Sequence, residues 1–111
     1  MTPENFDKMV LSMQDRSKKV FLSKKGYGTE IDRLSNFKRA GQLQKINAQS
    51  ALRGMSGKHT ISISDMVYDY EHGIKPNPAE LEEKIGDEIN YLLLLRGLFV
   101  DDGILPLIPK K

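Results

Sequence analysis

The stretch Asn77-Pro78-Ala79-Glu80-Leu81-Glu82-Glu83-Lys84-Ile85-Gly86-Asp87-Glu88-Ile89-Asn90-Tyr91-Leu92-Leu93-Leu94-Leu95 decides the fold class. Asn77 stands where a helix cap belongs, Pro78 at the first helical position and Glu80 at the third. Leu81, Ile85, Ile89, Leu92, Leu93 and Leu95 then recur at the three-and-four spacing of one helix face. Asp101-Asp102-Gly103 supplies the stop. The pattern predicts a helix over 78–101.

The same punctuation recurs upstream. Asn47 caps a helix over 48–72 that ends at Gly73, with Leu52, Met55, His59, Ile63, Met66, Val67 and Tyr70 on its face. Inside it, Thr60-Ile61-Ser62-Ile63-Ser64 alternates as a strand would, but the flanking spacing favours helix. Thr29, with Asp32 three residues on, forms a short capping box for a helix over 29–41 whose inner face holds Ile31, Leu34, Phe37 and Gly41. Thr2 and Pro3 open a helix over 3–25 with Phe6, Met9, Val10, Met13, Val20 and Phe21 on one face. Ser17 fills the gap in that stripe, and Gly26 after Lys24-Lys25 stops the helix. The tail 104–111 carries two prolines and is expected to be extended. It is apolar, so it should dock on its own bundle or on a neighbour. Four helices with short connections imply an all-α fold, an antiparallel four-helix bundle forming a single domain over 1–111.

Composition narrows the classes. Apolar residues are 39% of 111, with nine glycines besides, so the chain can build a core and is not disordered. There is no cysteine, which excludes disulfides, thiolate zinc sites and thiol chemistry. The longest apolar run, Leu92 to Leu95, is far below the ~20 residues of a membrane span. Met1-Thr2-Pro3-Glu4-Asn5 holds no apolar signal core, so a cytoplasmic protein without a membrane partner is expected. A chain of this size has little surplus core, which favours a homo-oligomer. The net charge of +2 divides into +7 over residues 1–60 and −5 over residues 61–111. The acidic half would repel a polyanion, and the basic residues are spread over three helices, so DNA and RNA are disfavoured as partners.

Three groups of residues can carry chemistry. On the last helix, Glu83, Asp87 and Asn90 follow one another by four and three residues and share a face. Two carboxylates so spaced can hold one Mg²⁺ through oxygen ligands, and the Asn90 amide can orient a base, sugar or water. On the preceding helix Lys58 adjoins His59, and Lys58, Ser62, Asp65 and Asp69 form a stripe. An imidazole beside an ammonium suits a phosphate. The turn Lys24-Lys25-Gly26-Tyr27-Gly28 offers a stacking ring and cations next to a helix start, where free N–H groups favour an anion. Arg33, Lys38 and Arg39 add charge there. Gly54, Gly57 and Gly86 lie inside helices, where each costs about 1 kcal/mol against Ala. Close helix crossing or a ligand near the backbone explains such a cost. Gly57-Lys58-His59 is not a P-loop: the earlier glycine and the following hydroxyl are missing.

Taken together, Lys24-Lys-Gly-Tyr27-Gly, Asp32-Arg33-Leu-Ser-Asn36-Phe-Lys-Arg39, Gly54-Met-Ser-Gly-Lys58-His59 and Glu83-Lys-Ile-Gly-Asp87-Glu-Ile-Asn90 resemble small phage-borne helical proteins linked to nucleotide metabolism. Those are similar in turn to the MazG-like all-α NTP pyrophosphohydrolases. The resemblance covers about residues 20–100. It implies a self-associating bundle with a nucleotide between its helices. The candidate ligand contacts, from the residue groups themselves, are Lys24, Tyr27, Arg33, Asn36, Lys58, His59 and Asn90. If the chain is phage-encoded, it would act in the host cytosol. MazG-like enzymes hold Mg²⁺ on a Glu-x-x-Glu pair and a Glu-x-x-Asp pair. Here Asp87 matches the final Asp, Lys84 replaces its Glu with Glu83 one residue out of register, and the preceding helix has no Glu-x-x-Glu. The sequence therefore favours a protein that sequesters a small phosphate-bearing nucleotide, such as a nucleotide immune signal. A Mg²⁺-dependent pyrophosphohydrolase and a protein–protein interaction module are the alternatives.

Overall fold

The computed structural model describes residues 1–23, 29 and 32–110. Among these residues four helices make up the fold: α1 (Pro3–Ser23), α2 (Ser35–Gln44), α3 (Ala48–Glu71) and α4 (Pro78–Asp101). No strand occurs among the described residues, and Thr60–Ser64 lies within α3.

The caps follow from side-chain chemistry. Asn47 Oδ1 accepts from the Ser50 N–H at 2.7 Å, and Asn77 Oδ1 accepts from the Glu80 N–H at 3.0 Å. Thr2 does the same for Asn5 at 3.1 Å. At the far ends, α3 and α4 close with a glycine in the left-handed region, Gly73 at φ 88° and Gly103 at φ 76°. The next N–H reaches back to the helix in each case, Ile74 to the Asp69 carbonyl and Ile104 to that of Phe99.

α2 departs from expectation. It begins at Ser35 and runs to Gln44, rather than spanning 29–41. The Thr29 hydroxyl does accept from the Asp32 N–H at 3.0 Å, as a capping box would have it. The Asp32 carboxylate, however, accepts from the Leu34 N–H at 2.9 Å and from Lys38 at 2.7 Å. An Asp bonded to the backbone two residues on holds a turn, and this one delays the helix. Ile31 lies outside the described residues. Gly41 sits inside α2, where a Cβ would fall 2.8 Å from the Ile46 carbonyl oxygen. The α2–α3 turn closes tightly because no side chain is there.

Chain direction also departs from the antiparallel alternation that the spacing predicts. Arg16 meets Asp87, Ser17 shares a groove with Ile89, and Phe21 shares another with Leu94. Residue numbers rise together along both helices, so α1 runs parallel to α4. Further along, Leu34 reaches within 3.3 Å of where a Cβ on Gly97 would be, and Lys38 bonds Asp101 at 2.8 Å. Thus α2 follows α1 in the same sense, and Arg33 donates to the Phe21 carbonyl to tie the two together. Only α3 is reversed: Thr60 bonds Glu88, and Leu52 packs with Leu94 and Leu98. Because α2 starts beyond the end of α1 instead of beside it, α4 is the one helix that α1 packs on among the described residues.

The core lies at one end. Phe37, Leu52, Leu94 and Leu98 are buried, with Phe21, Leu34, Ala48, Tyr91 and Leu95 packed around them. The α1 stripe is only half used: Ser17 is buried, while Phe6 and Met9 remain 51% and 43% exposed. The later part of α3 is open as well, with Val67 and Tyr70 on the surface. No helix among the described residues is long and apolar enough to cross a membrane. The tail turns back so that the Pro106 and Leu107 carbonyls accept from Arg96, but its Ile104, Leu107 and Ile108 side chains stay exposed.

Candidate functional site

One turn and a half of α4, Gly86 to Tyr91, gathers an unusual set of polar groups. Asn90 is 1% exposed, and neither Oδ1 nor Nδ2 has a hydrogen-bond partner. One turn earlier Gly86 lets the Arg16 side chain lie across the helix. A Cβ there would fall 2.3 Å from Arg16 Cζ and Nη1. Arg16 Nη2 reaches Asp87 Oδ1 at 3.4 Å, while its Nη1 is buried and unpartnered. From the other side His59 sets its ring 5.5 Å from that of Tyr91, with its Nδ1 also buried and unpartnered.

An amide cut off from water and unpaired costs about 1–3 kcal/mol, and a group bearing charge costs more. Native structures pair nearly all such atoms, so four orphan atoms on three residues, from α1, α3 and α4, grouped at this part of α4 need an explanation. The cluster brings to one part of α4 a cation from Arg16, a donor and an acceptor from one amide, and two rings, the group types that recognise anions and flat heteroatom-rich molecules.

The residues singled out in the sequence are dispersed. His59 and Asn90 belong to this cluster, and Asp87 sits at its edge. Lys58 is exposed, about 200° round α3 from the buried Ser56. Arg33 and Asn36 are exposed near the start of α2, where Arg33 is engaged by the Phe21 carbonyl. Lys24 and Tyr27 lie outside the described residues. Glu83 is exposed, and Asp87 has the Arg16 guanidinium for its neighbour. Among the described residues no three His, Asp or Glu side chains stand close enough to hold a metal ion. A cation beside one ligand, and no third ligand among the described residues, make Glu83 and Asp87 a poor fit to Mg²⁺.

Sequence reasoning passed over Arg16 and Tyr91. Gly86 was the signal for Arg16: a glycine inside a leucine-rich helix marks a close approach, here by a guanidinium. Gly54 and Gly57 have no such neighbour, since nothing lies within 4 Å of where their Cβ atoms would be. Compared with known proteins, the chain matches no family model, no curated protein and no solved structure.

Proposed function

We propose that this protein binds a small phosphate-bearing nucleotide and holds it without turnover. The observation that supports the reading best is Asn90, fully buried with both amide atoms unpartnered, one helical turn after the Gly86 that Arg16 crosses and next in sequence to the Tyr91 ring that meets His59. In this reading Arg16 takes a phosphate oxygen, Asn90 pairs with a base edge, and Tyr91 and His59 supply stacking surface. The resemblance to phage-borne and MazG-like helical proteins points to the same ligand class, and to a sequestering role in a host cell.

Hydrolysis of a pyrophosphate needs charge neutralised on the transferring group and a water activated for attack, usually by metals on carboxylates. Asp87 is instead turned to Arg16. The protein therefore acts as a binder. Calorimetry with mononucleotides, dinucleotides and cyclic dinucleotides, with and without EDTA, tests this. Binding of at least one class should persist in EDTA, and chromatography of the incubated nucleotides with Mg²⁺ should show no product. Turnover on the order of 1 s⁻¹ that disappears in Asp87→Ala would replace the binder with a hydrolase. Absence of heat with every class would remove the nucleotide altogether.

A further inference from the structure

We infer that the trough between α1 and α4 is the interface with a second copy of this chain. A groove of about 590 Å³ runs between the two helices, lined by Met9, Met13, Ser17, Ile89 and Leu93 among others. It continues into a second groove of about 460 Å³ that shares Phe21 and Leu93. Its rims are apolar and open: Phe6, Met9, Leu92 and Leu93 are 43–51% exposed.

The molecule as a whole has surface to give to a partner. A folded monomer of 12.6 kDa should expose about 6,200 Å². This chain exposes 8474 Å². The excess of roughly 2,300 Å² is shared among the open faces of α1, α3, α4 and the tail, and it leaves room for the ~800 Å² per partner of a standard interface. The radius of gyration agrees, at 16.1 Å against about 13 Å for a compact chain of this length.

Charge favours a copy of the same chain over a foreign partner. Lys18 lines the trough. Glu82 lies seven residues before Ile89, so it shares that face of α4. The pairing of Arg16 with Asp87 sets the helices' register and places Glu82 about two turns from Lys18 along the trough. A twofold axis through the trough's middle brings Lys18 of each copy towards Glu82 of the other. Such an isologous arrangement sets apolar wall on apolar wall and opposite charges at both ends.

Sedimentation equilibrium from 1 to 100 µM tests the inference. The expected mass is twice 12.6 kDa. Leu93→Glu and Met9→Glu, both at exposed positions, should each weaken the dimer by about a hundredfold or more with unchanged far-ultraviolet circular dichroism. Ile61→Glu, at a still more open position on α3, should leave it intact. A 12.6 kDa species at every concentration would overturn the proposal. So would a dimer that survives both trough variants, or one that only Ile61→Glu dissolves.

Discussion

A buried primary amide gives up its water hydrogen bonds on folding, and Asn90 recovers none of them from the protein. Leucine has the same branched four-atom skeleton and nothing polar to desolvate. Asn90→Leu should therefore raise the unfolding free energy in urea by about 1–2 kcal/mol. The same change should weaken nucleotide binding at least tenfold in calorimetry. Loss of stability in Asn90→Leu would mean that the amide is paired in the folded protein after all. Gly86 gives a second contrast. A methyl there meets only the far end of the Arg16 side chain, which can swing away. Gly86→Ala should gain up to about 1 kcal/mol of helix propensity while moving the guanidinium off the site. Tighter folding with weaker binding is the expected outcome, read by the same two measurements.

Between elements, the junction of α2 with α4 is electrostatic. Lys38 bonds both Asp32 and Asp101. Its donated bond and that of the Leu34 N–H hold the Asp32 carboxyl below its ordinary 3.8. The bonds to Asp101 and Asp32 in turn hold the Lys38 ammonium above 10.5. A carboxyl lowered on folding stabilises above its unfolded value, and that gain fades as pH falls through the lowered one. An ammonium raised on folding stabilises below 10.5, and its gain fades as pH climbs through the raised value. Thermal midpoints should thus fall on both flanks, and Lys38→Met should flatten both. All three groups are over a third exposed, so the effect is modest and weakens with salt. Gly41 is the harder constraint. A Cβ there meets the backbone at Ile46 and Ala48, which cannot swing aside. Gly41→Ala should cost about 1–3 kcal/mol, the range for overpacking, in a urea titration. The sequence carried the α3 and α4 boundaries plainly, because Asn caps and terminal glycines act locally. It misled at α2, because Asp32 can complete a capping box or hold a turn, and the choice depends on Lys38 and Leu34.

Across the whole molecule, helix existence was legible and helix direction was not. The stripes on α1 and α4 say that each has an apolar face, but the pattern is the same whichever way the helices run. Parallel packing of α1 on α4 is set by Arg16 lying over Gly86 and by α2 continuing past the end of α1. The stripe of α1 likewise could not reveal that Phe6 and Met9 would be left half open. The site was partly legible: His59 and Asn90 stood out as polar groups on helices with apolar faces, whereas Arg16 needed the tertiary contact. The most direct measurement of the central claim is a ¹H–¹⁵N spectrum of the side chains during nucleotide titration. The Asn90 Nδ2 pair and the Arg16 Nε–H should move together and saturate at one ligand per site, with the exposed Asn36 amide unchanged. Saturable binding that leaves both the Asn90 and Arg16 signals in place would contradict the account.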